Sequence, residues 1–145
     1  MKIEEIKEMI DKDARFLREE SNIDVASLSV PELCAKYHQL IYDETMSLNY
    51  FRTEHKIIKK NRWLYYTGKA DPEVYEKHPF NLNILKADID KFLDADDELN
   101  VITLKVKAQE EKINLLTEQV KSIMNLSFNV NNVIKWKKFL SGEIG

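Results

Sequence analysis

Apolar residues recur at or near helical spacing through most of the chain. In residues 3–18, Ile3, Ile6, Met9, Ile10, Phe16 and Leu17 stand among charged neighbours. That pattern predicts a short amphipathic helix. It loosens from Ser21 to Ser27. Ser29-Val30-Pro31-Glu32 then reads as a helix start. Ser29 is placed to accept from free backbone N–H groups and Glu32 to reach back, while Pro31 stands where a missing N–H costs nothing. No breaker follows before Gly68, so one long helix is expected over residues 31–67.

Residues 69–81, with Asp71-Pro72 and His78-Pro79, read as a loop. Residues 82–93 fit either a short helix or an extended packing segment. Leu99, Ile102, Val106, Gln109, Ile113, Leu116, Val120 and Ile123 then follow at strict alternating three- and four-residue spacing, the period of a coiled-coil seam. Asn125 is expected to break that helix and Ser127 to cap a last one, carrying Val130, Val133, Ile134, Trp136, Phe139 and Leu140 and ended by Gly142. The expected fold is all-α: a long-helix bundle with a C-terminal coiled-coil-like helical hairpin. The seam itself suits either a contact within one chain or a contact between copies.

Composition narrows the picture. The 145 residues are 43% hydrophobic and 32% charged, enough for a core, and no stretch approaches the roughly 20 apolar residues of a membrane span. No membrane partner is expected, and the N-terminus reads as an amphipathic segment instead of a signal peptide. The three glycines and three prolines are few for a β-rich or α/β enzyme and favour long helices. Net charge is −3, yet its distribution is uneven. Residues 52–69 hold six cations against Glu54 alone, a net of +5, and residues 70–100 hold nine acids against three lysines, a net of −6. Such asymmetry reads as an anion-binding surface on an acidic protein.

Little else suggests chemistry. Cys34 is the only cysteine, and the three histidines are far apart, so neither a disulfide nor metal-ligand spacing is present. Thr67-Gly68-Lys69-Ala70 lacks the first glycine and the Lys-Ser/Thr pair of a phosphate loop. The acids Asp94, Asp96, Asp97 and Glu98 lack the glycine and final glutamate of a calcium loop and suit a first helical turn facing the positive end of its dipole. No nucleophile–base pair stands out, so no catalytic residue, metal or cofactor is assigned. The basic segment is the informative one. At 100° per residue, Arg52, Lys56, Lys59, Lys60 and Arg62 fall within about 160° of one another. Trp63 and Tyr66 share that sector and Lys69 follows, while Ile58 and Tyr65 face away. Cations neutralise phosphates and rings stack on unpaired bases, so these eight residues are candidate single-stranded-nucleic-acid ligands. A solvated helix face whose aromatics pack on a neighbour is the alternative.

Several ordered segments resemble the UvsY family of tailed bacteriophages. They are Glu20-Ser21, Val30-Pro31-Glu32-Leu33 with Lys36-Tyr37, the run Tyr65-Tyr66-Thr67-Gly68-Lys69 behind basic residues, Leu85-Lys86-Ala87-Asp88, and Phe92-Leu93-Asp94-Ala95-Asp96 with Leu99. Asn125, Phe128, Val130, Asn132, Ile134, Trp136, Phe139 and Gly142 complete the set. The resemblance implies a non-enzymatic recombination mediator in the cytoplasm of an infected bacterial host. Its implied partners are single-stranded DNA, a phage RecA-like recombinase, the phage single-strand-binding protein and further copies of itself in a ring of roughly six or seven subunits. Lys60 and Arg62 match the family's DNA-binding basic residues. The chain departs from the family at Leu126 and Asn131, where a basic residue is common, and at Cys34, where histidine is. The resulting division is residues 1–81 as a helical DNA-binding part and 82–145 as a helical oligomerisation part. The oligomerisation candidates are Leu99, Ile102, Val106, Ile113, Leu116, Val120, Ile123, Trp136 and Phe139. A structural coiled-coil or scaffold protein of a phage is the rival reading.

Overall fold

The computed structural model describes residues 1–19 and 23–142, except for the side chains of residues 23–27, 127, 128 and 130. Glu20 and Ser21 of the family-like pattern, and the side chains of Ser127, Phe128 and Val130, therefore lie outside the described residues. Every regular element among the described residues is helical. The elements are α1 (Ile3–Arg18), α2 (Ile23–Tyr66), α3 (Pro72–Lys77), a 3-10 turn (Lys86–Asp88), α4 (Ile89–Asp94) and α5 (Asp97–Leu140). This all-α architecture is the one the apolar spacing predicts.

In α1 the Lys2 N–H donates to Glu5 at 3.1 Å. Glu4 and Glu5 occupy its first turn and Arg15 and Arg18 its last, complementing the helix dipole at both ends. The expected start of α2 is corrected. The helix begins at Ile23, and Pro31 lies inside it, so Ser29 and Glu32 are not a cap. A proline in a helix interior removes one backbone hydrogen bond and costs about 3 kcal/mol. Val30, Leu33 and Cys34 around it pack against a core, and that burial outweighs the local penalty.

The stop at Gly68 is as expected. Gly68 has φ +76°, and its N–H reaches the Tyr65 carbonyl at 3.3 Å while that of Lys69 reaches the Leu64 carbonyl at 2.8 Å. These are the two bonds of a Schellman motif, which needs a left-handed residue at that position. The expected loop 69–81 contains α3, entered through Pro72. The Tyr75 hydroxyl from α3 donates to the Tyr65 carbonyl at 2.9 Å and accepts from the Ala70 N–H at 3.2 Å, tying the turn to the helix end. The alternatives left open for residues 82–93 both occur, irregular chain to Leu85 and helix from Lys86.

The C-terminal hairpin is also corrected: α5 is continuous for 44 residues from Asp97 to Leu140. Asn125 does not break it and residue 127 starts no new helix. Asparagine in a helix interior costs only a fraction of about 1 kcal/mol against alanine, and Ile123 and Leu126 on either side pack against the core.

The chain forms two compact units, and both long helices contribute to each. Unit 1 comprises Met1–Thr45 and Glu111–Gly145; unit 2 comprises Met46–Glu110. Unit 1 is built on Ile6 and Leu17 of α1, Tyr37 of α2 and Leu116, Val120 and Ile123 of α5. Asp13 lies on the buried face of α1, where it accepts from Tyr37 Oη at 2.7 Å and Lys36 Nζ at 2.6 Å. Burial, with the Asp13 hydrogen bond and charge, pushes the Tyr37 phenol well above its ordinary range. Unit 2 is built on Ile89, Leu93, Leu99 and Ile102, with Phe51, Ile58, Tyr66 and Ile84 packed against them. The α5 seam is thus largely occupied inside one chain. Leu99 and Ile102 are buried in unit 2, Leu116, Val120 and Ile123 in unit 1, and Val106 and Ile113 are half-buried.

Candidate nucleic-acid interface

The part of α2 that lies in unit 2 is oriented by its apolar residues. Phe51, Ile58 and Tyr66 face the core. At 100° per residue, Arg52, Lys56, Lys59, Lys60 and Trp63 then fall within about 100° of one another, on the side away from Phe51 and Ile58, with Tyr66 at the edge between the two faces. Lys56, Lys59 and Lys60 are exposed and form no ion pair among the described residues. Arg52 reaches Glu110 at 3.1 Å, with both side chains about half exposed. An exposed pair of that kind is worth at most about 1 kcal/mol, so a phosphate can displace the carboxylate. Trp63 is 38% exposed, and the Lys69 ammonium lies 4.8 Å from the centre of its ring. The Schellman turn at Gly68 carries Lys69 back alongside α2.

Arg62 and Tyr66, the other two candidates, are placed differently. Arg62 Nε donates to Asp96 at 2.7 Å and its Nη1 lies 3.7 Å from Glu98. Its guanidinium also stacks 4.4 Å from the Tyr65 ring centre. The Tyr66 hydroxyl donates to the same Asp96 oxygen at 2.6 Å, and its ring meets Phe80 at 5.4 Å and Phe92 at 5.6 Å. Asp96 is almost wholly buried, and its other oxygen caps α5 by accepting from the Leu99 N–H at 2.8 Å. Burial alone would raise its pKa. Hydrogen bonds from Tyr66, the Leu99 N–H and Arg62, with the Arg62 charge, outweigh burial and hold it below the ordinary carboxylate value. The Tyr66 phenol is raised by burial and by Asp96. Burial would lower the Arg62 pKa, but its Tyr66 and Asp96 contacts raise it. Arg62 and Tyr66 thus join the end of α2 to the start of α5. Sequence reasoning missed Asp96 as their partner, because 34 residues separate it from Arg62 and its acidic neighbours made it look like one of a set.

A further group went unnoticed in the sequence. A cavity of about 710 Å³ lies between the end of α2 and the segment that follows α3, lined among others by Trp63, Lys69, Phe80, Asn81, Asn83 and Lys86. Its only sequence signal is a pair of asparagines two residues apart behind Pro79. Among the described residues no group of histidine, cysteine and carboxylate side chains could hold a metal ion, and no helix is long and apolar enough to cross a membrane.

The family model described as recombination, repair and ssDNA binding protein UvsY matches residues 5–143. The chain belongs to the UvsY family. The match extends through both units, so neither is an addition to a smaller family domain. UvsY membership places the protein in DNA recombination and repair, with single-stranded DNA as its nucleic-acid ligand. No individual curated protein and no solved structure matches the chain.

Proposed function

We propose that the outward face of α2, with Arg52, Lys56, Lys59, Lys60 and Trp63, together with Lys69, is where this UvsY protein holds single-stranded DNA. The observation that carries the proposal is the group of three exposed lysines without ion pairs, beside a partly exposed indole, in a family that binds single strands. Lysines supply phosphate neutralisation without base-reading geometry, and the indole supplies a stacking surface that accepts any base. Arg62 and Tyr66 serve this face as positioning residues, fixing the end of α2 through Asp96. No catalytic step is assigned to the chain.

The function proposed is that of a recombination mediator in the host cytoplasm. It loads a RecA-like recombinase onto DNA covered by single-strand-binding protein, and residues 1–81 supply the DNA-binding part. Assembly into a ring falls to residues 82–145. Trp136 and Phe139 support that role: their rings stack at 5.6 Å and both are largely exposed in the single chain, as is Leu140. A ring presents several copies of the lysine face together and raises their effective concentration.

The test is anisotropy of a labelled oligonucleotide across salt concentrations, for the wild type and for Lys56→Ala/Lys59→Ala/Lys60→Ala. Affinity is expected to fall as salt rises. The triple variant should bind more weakly, with a log–log slope about 2 shallower, from about 0.7 per phosphate contact on single strands. An unchanged slope in a folded triple variant would remove the lysine face from the interface.

A further inference from the structure

We infer that the cavity beside Trp63 is a pocket for one unstacked nucleotide base of the bound strand, an inference that rests on the DNA-binding reading above. The lysine face accounts for phosphates. On that face Trp63 alone offers a ring to a base, and Trp63 also lines the cavity. Its volume lies within the roughly 300–1,000 Å³ range of small-molecule sites.

Three of the lining residues are held by contacts of their own. Tyr66 is held by Asp96 at 2.6 Å, Phe80 packs on the Tyr65 and Tyr66 rings at 5.2 Å and 5.4 Å, and Ile89 on the inner side belongs to the unit 2 core. Aromatic surface is thus offered by Trp63 and Phe80. Asn81 and Asn83 are exposed and have no side-chain hydrogen bond among the described residues. Each amide carries both donors and an acceptor, so the pair can meet the edge of any base without selecting one. Lys69 and Lys86 also line the cavity and suit the phosphates on either side of the captured residue. Asp90 is the only acid among the lining residues. Its charge disfavours a phosphate inside, so the base is the part that enters. Leu82, 63% exposed, adds apolar surface for the sugar or the ring.

The pocket changes what the lysine face does to a strand. A strand lying on lysines alone keeps its bases stacked on one another. A strand with a base withdrawn into the pocket is unstacked at that point and fixed in position.

The full-length protein is titrated with a labelled oligodeoxythymidine and with an oligomer of equal length carrying abasic residues. The thymidine strand is expected to bind about tenfold more tightly, the value of one stacked base. Asn81→Ala/Asn83→Ala should lose several-fold on thymidine and nothing on the abasic strand. Photo-crosslinking with 5-iododeoxyuridine, followed by peptide mapping, should place the adduct on Trp63 or Phe80. Equal affinity for the two strands, an asparagine variant like wild type, or adducts confined to other residues would each overturn the pocket and leave the lysine face standing. If neither strand binds, the DNA-binding reading fails together with the pocket.

Discussion

Unit 1 closes over aliphatic side chains, and among the described residues Tyr37 is the one aromatic ring buried in its core. Unit 2 has four aliphatic residues at its centre and adds a ring cluster of Tyr65, Tyr66, Tyr75, Phe80 and Phe92 with centroid separations from 5.2 to 6.2 Å. Each unit also has a carboxylate that accepts from a tyrosine and a cation. In unit 1 Asp13 is reached by Tyr37 and a partly exposed Lys36. In unit 2 Asp96 takes Tyr66 and Arg62 on one oxygen and caps α5 with the other. Aliphatic packing is tolerant of small shifts, whereas a buried carboxylate with three donors admits one geometry. The more exacting construction is found in the unit that carries the lysine face and the cavity.

The largest way to break this contrast is Asp96→Ala. It leaves Arg62 without its closest partner and α5 without its cap, and losing one member of a buried pair costs about 3–5 kcal/mol. Trp63 lies in unit 2 and Trp136 in unit 1, so urea unfolding followed by tryptophan emission is expected to shift to lower denaturant, with the Trp63 signal leading. A midpoint equal to wild type would show that the hub does not hold unit 2 together.

Leu116→Ala should come next. Leu116 is fully buried in unit 1, and such truncations cost about 2–5 kcal/mol, depending on how far the cavity collapses. Chemical denaturation of this variant beside Asp96→Ala compares an aliphatic loss with a polar one. A Leu116→Ala cost above that of Asp96→Ala would reverse the ranking.

Acidification offers a smaller and more selective probe. The folded pKa of Asp96 is depressed, so its contribution is fully present above the unfolded value near 3.9 and is lost as pH falls through the folded value. Stability of unit 2 should therefore decline below about pH 4, read through Trp63. Asp96→Asn is less stable at neutral pH and cannot titrate at that position, so its acid decline should be shallower. Equal slopes for the two proteins would assign the acid response to other carboxylates. At the alkaline end both units respond. The raised pKa values of Tyr37 and Tyr66 mean stability that is intact below about pH 10 and lost as pH rises through the folded values.

The smallest effect is a gain. Gln119 Nε2 in unit 1 is buried without a hydrogen-bond partner among the described residues. Gln119→Met should stabilise the protein by about 1 kcal/mol, because an unmet buried donor is costly. A destabilised variant in thermal melts would mean that the amide is used, for instance by a neighbouring copy.

Local signals in the sequence determined the helical class, the amphipathic α1, the stop at Gly68 and the outward run Arg52, Lys56, Lys59, Lys60 and Trp63. Each follows from side-chain spacing or backbone conformational freedom, properties a short stretch of chain has by itself. Tertiary structure decided three other matters. It carried α2 through Pro31 and α5 through Asn125, since local penalties of about 3 kcal/mol at the proline and less at the asparagine were set against core residues on either side. It turned most of the α5 seam toward the chain's own helices. It also gave Arg62 and Tyr66 to Asp96, and brought Asn81 and Asn83 beside Trp63. Periodicity gives the direction of a side chain from its own helix axis. The group it meets there is set by how distant segments pack, and for Arg62 that group is a carboxylate 34 residues away.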